Sequence, residues 1–154
     1  MKKIALLSLC LGVTPLVLAA DAPTQTITRA GTQPSAVGPE QNFTGRVRVE
    51  RLVTATPEIN ASAAYVTFEP GARSAWHTHD KGQLIFVEQG RGRVQRKGES
   101  IRELKLGDSD YTAPNVVHWH GATPDQALVQ INVGFGGETR WLEKVTDAEY
   151  TAKR

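Results

Sequence analysis

Apolar and polar residues alternate over short intervals along most of the chain, in the pattern typical of β-strands. Gly90 stops one apolar run, and Lys97-Gly98-Glu99 joins two further runs as a hairpin. Many short strands separated by Gly and Pro turns indicate an all-β antiparallel sandwich or barrel. The predicted strands cover residues 43–53, 65–68, 84–87, 91–96, 100–106, 111–113, 116–120 and 128–133.

The two ends of this strand-rich region differ from it in pattern. Residues 21–42 are rich in Thr, Gln, Pro, Ala and Gly and have no apolar periodicity, which predicts a flexible N-terminal arm. At the other end, Thr146 is followed three residues later by Glu149, as in a capping box. This spacing predicts a short C-terminal helical segment. The folded domain is therefore expected to cover residues 43–150.

Residues 1–20 combine a basic start, an apolar centre and a small-residue end. Lys2 and Lys3 precede the apolar run, and Ala19-Ala20 closes it, which is the pattern of a cleavable secretory signal peptide. A membrane anchor fits less well, because the apolar run is shorter than the ~20 residues of a spanning helix and contains Pro15. A lipoprotein signal at Cys10 also fits less well, because such a signal has a small residue at the preceding position and this chain has Leu9 there. The sequence thus predicts a periplasmic or secreted protein.

Cleavage after residue 20 would change the composition of the chain. The full chain has 18 Lys and Arg against 16 Asp and Glu, and the first 20 residues hold two lysines and no acids. The mature chain would have no net charge, which argues against nucleic acid or an anionic membrane surface as a partner. Cys10 is the single cysteine, so the mature protein would have no disulfide and no thiol nucleophile.

All four histidines fall in two H-x-H pairs, which begin 41 residues apart. Residues i and i+2 of a strand share a face, so each pair presents two imidazoles side by side. A buried, hydrogen-bonded histidine is commoner than a metal ligand where only one pair exists. Two pairs that use every histidine of the chain instead indicate a metal site, since imidazole is the commonest protein metal ligand. The pairs are His77 with His79 and His118 with His120.

The spacing around these histidines resembles the two sequence motifs of the cupins. The first motif is matched by Gly71-x5-His77-x-His79-x3-Gln83-x6-Gly90, and the second by residues 107–114 followed by His118. The resemblance covers residues 43–150 and is strongest to small single-domain, conserved-barrel cupins, a group that includes manganese-dependent bacterial hydroxynitrile lyases. It implies a cupin double-stranded β-helix, or jelly-roll barrel, that forms a homodimer or a higher homo-oligomer. It also implies a divalent metal, manganese or iron, held by His77, His79, Gln83 and His118.

Many cupins have glutamate where this chain has Gln83. Three neutral imidazoles and one neutral amide leave a divalent ion its full +2 charge, which favours Lewis-acid chemistry over redox cycling. Ligand type alone does not fix the metal, because nickel, zinc and copper bind nitrogen-rich sites more tightly than manganese.

Two further residues are candidates for catalysis. His120 shares a strand face with His118, so it could act as a base or orient the substrate, or it could serve as a hydrogen-bond partner of a ligand. Gln130 stands where the resembling lyases carry a cavity-facing histidine, a difference that argues against cyanohydrin chemistry. Trp76 and Trp119 alternate with the histidines and should face away from the cavity, as packing or dimer-interface residues.

The predicted function is an exported, metal-dependent lyase that acts on a small hydroxy or carbonyl compound. Two alternatives remain open from the sequence: a metal-dependent cupin dioxygenase, and a non-catalytic periplasmic protein that binds metal or a small molecule. The residues expected to line the barrel are apolar and define a small pocket without naming a substrate: Val66, Phe68 and Ile85.

Overall fold

The computed structural model describes residues 25–152 as twelve strands and one short α-helix. The predicted signal peptide, residues 1–20, and the first four residues of the predicted arm lie outside the described residues. No helix within residues 25–152 is long and apolar enough to cross a membrane. The strands are β1 (Ser35–Val37), β2 (Phe43–Thr44), β3 (Val47–Val53), β4 (Ser62–Phe68), β5 (Arg73–Ser74), β6 (His77–His79), β7 (Gln83–Arg96), β8 (Arg102–Lys105), β9 (Ser109–Thr112), β10 (His118–Ala122), β11 (Leu128–Gly134) and β12 (Thr139–Trp141), and the helix is α1 (Asp147–Thr151).

The strands form two antiparallel layers that curl around one interior. The first layer has the order β1-β3-β4-β11-β7-β9. In the second layer, β7 pairs with β8 and β10, and the other edge of β10 pairs with β5 and then β6. The strands β2 and β12 extend this layer beyond β5 and β6. This is the jelly-roll arrangement that the sequence predicts.

The long strand β7 belongs to both layers and bends at Gly90. Sequence reasoning ended a strand before Gly90, but the strand continues to Arg96. Gly90 has φ +76°, and a Cβ atom there would lie 1.8 Å from the carbonyl oxygen of Ala127. Glycine is required because its backbone reaches the left-handed region and leaves room for the neighbouring chain. The residue therefore turns the strand from one layer into the other, and does not end it.

Alternate residues of the strands fill the interior between the layers with apolar side chains. Phe68 and Leu128 are fully buried there, and Val66 and Val87 pack around them. Burial of a large apolar side chain stabilises the folded state by about 1.5–3 kcal/mol, so this cluster closes one part of the barrel. The polar residues of the two H-x-H pairs occupy the adjoining part of the interior.

A second apolar cluster lies on the outer side of the histidine-bearing strands. Trp76 and Trp119 are buried there, with ring centroids 6.5 Å apart in an edge-to-face arrangement. Val145 and Tyr150 cover them from the C-terminal segment. The two tryptophans thus face away from the cavity as predicted, and they pack within the same chain.

The predicted capping box is confirmed at the start of α1. The Thr146 side chain accepts a hydrogen bond from the Glu149 backbone N–H, and the Glu149 carboxylate accepts one from the Thr146 N–H. Arg73 is buried beneath this helix. Its guanidinium donates to the Val145 carbonyl and to the Asp147 carboxylate, which ties α1 to β5.

Residues 35–42 contain regular structure inside the segment predicted as a flexible arm. Ser35–Val37 pair with β3, and Glu40–Asn42 form one turn of 3₁₀-helix. The pairing register matches Ala36 with Val49, although all three β1 residues are exposed. A three-residue edge strand carries too little apolar pattern to be recognised in the sequence, which explains the difference.

Candidate metal centre

Three histidines and one glutamine meet at the centre of the barrel because β6 and β10 are neighbours. His77 and His118 stand opposite each other in the antiparallel register, and their ring centroids are 4.2 Å apart. The His79 ring lies 5.1 Å from that of His77 and 5.6 Å from that of His118. One ring nitrogen from each residue can be chosen so that all three lie within 4.8 Å of one another. Gln83, the first residue of β7, places its Oε1 atom 3.3 Å from Nε2 of His118.

Outer hydrogen bonds fix the orientation of all three rings. Nδ1 of His77 is 3.0 Å from the Ala75 carbonyl oxygen, and Nδ1 of His118 is 2.9 Å from the Val116 carbonyl oxygen. A carbonyl oxygen only accepts, so both Nδ1 atoms donate, and the neutral rings keep a bare Nε2. Nδ1 of His79 lies 3.0 Å from the Thr139 hydroxyl. Such outer partners are typical of metal-binding histidines, because they fix the tautomer and aim the other nitrogen at the ion.

Two contacts within the cluster fit a bound cation. Nε2 of His79 is buried and has no hydrogen-bond partner within residues 25–152. The bare Nε2 of His118 faces the amide oxygen of Gln83, so two acceptors stand 3.3 Å apart without a proton between them. Lone pairs at this distance repel each other unless a cation lies between them or beside them. The donor set of imidazole nitrogen and amide oxygen is one that divalent transition metals accept.

The histidines are neutral at the pH where a metal would bind. Burial lowers the pKa of His79 to about 4, and repulsion from His118 adds to the effect. Burial is also the main reason that the pKa values of His77, His118 and His120 lie below the ordinary value for histidine. Imidazole must be unprotonated to bind a metal, so these environments prepare the rings for that role.

His120 adjoins the cluster and is connected across the interior to β11, which belongs to the other layer. Its ring centroid is 5.2 Å from that of His77, and Phe68 packs edge-to-face against it at 5.6 Å. The Gln130 Nε2 atom donates to His120 Nδ1 across 3.1 Å and also donates to the Asn132 Oδ1 atom. The amide oxygen of Gln130 is buried without a partner among the described residues. Gln130 is thus fully buried behind His120, whereas the sequence suggested that it faces the cavity.

A cavity of about 740 Å³ opens beside the cluster. His77, His79, Gln83 and His120 form its polar end. Apolar side chains form much of the remaining wall: Phe43, Val49, Val66 and Trp141. Asn132 and Thr139 add polar groups, and Gly134, Gly136 and Gly137 also line the cavity. The predicted small pocket is therefore larger than expected, because residues 33–39 and the edge of β3 extend it.

Sequence reasoning missed three residues around the cluster: Asn132, Thr139 and Trp141. Thr139 pairs with His79 and Trp141 pairs with His77 in the β12–β6 ladder, and the Trp141 ring lies 4.9 Å from that of His77. A signal was present, because residues 139–141 alternate in the manner of a strand. Asn132 follows Gln130 by two residues on the same strand, so strand periodicity could have placed it on the same face.

This fold and this cluster define the class of protein. A jelly-roll barrel that brings two H-x-H strands together around an interior cavity is the architecture of the cupins. A model of the cupin domain family matches residues 64–134. The chain is also 42% identical over 127 residues to the (R)-mandelonitrile lyase of Granulicella tundricola, across 80% of this chain and 97% of that protein. The chain belongs to the cupin family.

Solved structures agree with this assignment. A cupin-like protein from Thermotoga maritima is 42% identical, with a TM-score of 0.72 over 82% of this chain and 95% of that one. A cupin 2 conserved barrel domain protein from Rhodopseudomonas palustris is 20% identical, with a TM-score of 0.63 over 75% of this chain and 80% of that one. At 20% identity, the similarity to the Rhodopseudomonas palustris protein supports the fold alone.

Proposed function

We propose that this cupin is a metal-dependent hydroxynitrile lyase, which cleaves a small cyanohydrin into a carbonyl compound and hydrogen cyanide. The observation that carries the proposal is the buried, unpartnered Nε2 of His79 among three rings whose Nδ1 atoms have outer partners. The 42% identity to a mandelonitrile lyase supports the choice of reaction. The wall of the cavity is apolar enough to receive an aromatic ring.

In this proposal the metal ligands are His77, His79, Gln83 and His118. All four donors are neutral, so a divalent ion keeps its full charge and supplies Lewis-acid stabilisation to a substrate oxygen. Manganese is our proposed ion, on the basis of the resemblance to manganese-dependent cupins. The donors would also accept iron, zinc or nickel, so the metal loaded in each assay has to be stated.

His120 is the proposed group that moves the proton. In cleavage, the hydroxyl proton leaves the substrate, the carbinol carbon becomes a carbonyl carbon, and the electron pair of the C–C bond leaves with cyanide, which takes up a proton. His120 can take the hydroxyl proton at Nε2 and pass it to cyanide when its own proton lies on Nδ1. In the structure the Gln130 amide nitrogen contacts Nδ1 of His120, and the Gln130 amide oxygen has no partner among the described residues. If the Gln130 amide turns over, its oxygen accepts a hydrogen bond from Nδ1 and stabilises the tautomer with the proton on Nδ1.

Gln130 and Asn132 position this group and the substrate. Gln130 acts through His120 and is a positioning residue, because it is fully buried and contacts the ring at Nδ1. Asn132 lines the cavity, and the hydrogen bond from Gln130 occupies its amide oxygen. Once the Gln130 amide turns over, the Asn132 amide turns with it, so that one of its N–H groups donates to the Gln130 oxygen and the other is available to the nitrile or carbonyl end of a substrate. Phe43 and Trp141 pack edge-to-face on the wall of the same cavity and provide an apolar surface for the rest of the substrate.

The test is cleavage of mandelonitrile by the metal-loaded protein, followed by benzaldehyde absorbance and cyanide release. We expect His120→Ala to lower kcat by about 10²-fold or more while metal content stays stoichiometric, since general acid–base groups contribute that much. His79→Ala should instead lose the metal. Oxygen uptake without cyanide release would overturn the proposal in favour of a dioxygenase, and tight metal with no turnover would favour a binding protein.

A further inference from the structure

Arg51 is a charged residue on the wall of the cavity, in the layer opposite the strands that carry the histidines. It is an exposed residue of β3 and lines the cavity together with Val49, which lies two residues earlier on the same face of the strand. Val53 follows a shift in the pairing register and also lines the cavity. Among the lining residues it is the one with a permanent charge. The ion pairs found within residues 25–152 do not include it. Its guanidinium therefore has no internal anion to neutralise it.

The strand register connects Arg51 to the reactive end of the cavity. Arg51 stands opposite Ala64 on β4, and Ala64 stands opposite Asn132 on β11. Neighbouring strands are about 4.8 Å apart, so the backbones of Arg51 and Asn132 are separated by about 10 Å. The residue between them is an alanine that also lines the cavity, so no large side chain interrupts this row. A substrate of roughly one aromatic ring in length would span the gap once the arginine side chain reaches inward.

The size of the cavity agrees with such a substrate. At about 740 Å³ it lies well inside the range of about 300–1,000 Å³ typical of sites for drug-sized ligands. An unsubstituted one-ring cyanohydrin would leave the part of the cavity next to β3 empty. We infer that the site takes hydroxynitriles or aldehydes that carry an anionic group at the end opposite the reacting carbon, with Arg51 as its binding residue. The inference rests on the proposed function in placing the reacting carbon near His120 and Asn132.

The experiment compares three benzaldehydes as ligands of the metal-loaded protein without cyanide, by calorimetric titration at low ionic strength. They are benzaldehyde, 4-formylbenzenesulfonate and 4-formyl-N,N,N-trimethylanilinium, and a sulfonate is chosen because it is a weak metal ligand. We expect the sulfonate to bind about 5-fold more tightly than benzaldehyde, since a partly exposed ion pair contributes up to about 1 kcal/mol. Arg51→Met should remove this preference, and Arg51→Glu should transfer it to the trimethylanilinium compound.

The matched control is Arg140→Glu, which makes the same change of charge on β12. Arg140 is exposed between Thr139 and Trp141, which line the cavity, so its side chain projects to the other face of the strand. Equal binding of the three aldehydes to the wild type, or an equal change of preference in Arg140→Glu, would overturn the inference. Turnover is scored separately. A preference for the sulfonate without cyanide release would refute the lyase proposal and support the anion site at Arg51. Cyanide release without a preference for the sulfonate would support the lyase proposal and refute the anion site.

Discussion

Replacement of Gln83 by glutamate tests why the cluster contains a neutral amide. The change keeps an oxygen at the same position, 3.3 Å from Nε2 of His118, and adds one negative charge in a residue that is 5% exposed. One ring nitrogen from each of the three histidines can be chosen so that all three lie within 4.8 Å of one another. We therefore place an anion bound among these groups at about 5 Å from the new charge. At an effective dielectric constant of about 20, two unit charges at that separation repel by about 3 kcal/mol, or roughly 150-fold in affinity.

The assay is azide titration of the metal-loaded wild type and Gln83→Glu at equal metal content and pH. Water in the open cavity screens part of the repulsion, so we expect azide affinity to fall by at least about 10-fold in the variant. Mandelonitrile turnover should fall as well, since it depends on anionic charge near the metal. Gln89→Glu is the control, because Gln89 is exposed on the same strand and gives the same net charge. Equal or tighter azide binding by Gln83→Glu would refute the electrostatic reasoning and weaken the lyase proposal relative to a dioxygenase.

Three further predictions concern stability and export. Trp119→Leu should lower the free energy of unfolding by about 3 kcal/mol, because Trp119 is fully buried and donates to Gln95; a urea titration that shows less than about 1 kcal/mol would contradict this. In metal-free protein, burial keeps the pKa of His79 at about 4, whereas its pKa in the unfolded chain is about 6.5. Between about pH 4 and pH 6.5 the unfolded chain therefore binds more protons than the folded chain. Stability should therefore be complete above about pH 6.5 and fall as the pH drops toward 4, and unchanged urea midpoints at pH 7 and pH 5 would count against it. We also propose export, and the intact mass of periplasmic protein should correspond to a chain that begins near Ala20, whereas uncleaved chain in the membrane fraction would argue otherwise.

The sequence was most informative where a local pattern decides the structure. Two H-x-H pairs and the Thr146 to Glu149 spacing depend on strand and helix periods alone, and the structure brings the histidines together and forms the capping box. The resemblance to cupins supplied the jelly-roll barrel, whereas periodicity alone does not distinguish a sandwich from a barrel. The role of each residue in the cluster stays a prediction that metal-content and activity measurements must test.

Other features depend on contacts between distant parts of the chain and were mispredicted for that reason. Gly90 was taken as the end of a strand, since the sequence does not show that Ala127 approaches it and that β7 continues into a second sheet. The burial of Arg73 depends on Val145 and Asp147, more than 70 residues away, so no local pattern indicates it. The position of Gln130 behind His120, similarly, depends on how two β-strands curve around the interior.

The bend of β7 at Gly90 also has a consequence for the order of events during folding. Gln83 lies at the start of this strand in the first sheet, while the second half of the strand pairs with β10, which carries His118 and His120. The donor atoms thus converge only after both halves of β7 have found partners far along the chain. Such long-range pairings form slowly, because the entropy cost of closing a large loop comes before the stabilising contacts are made. A nascent chain with its sheets unpaired holds the two H-x-H pairs apart, so the complete donor set exists only after both sheets have formed.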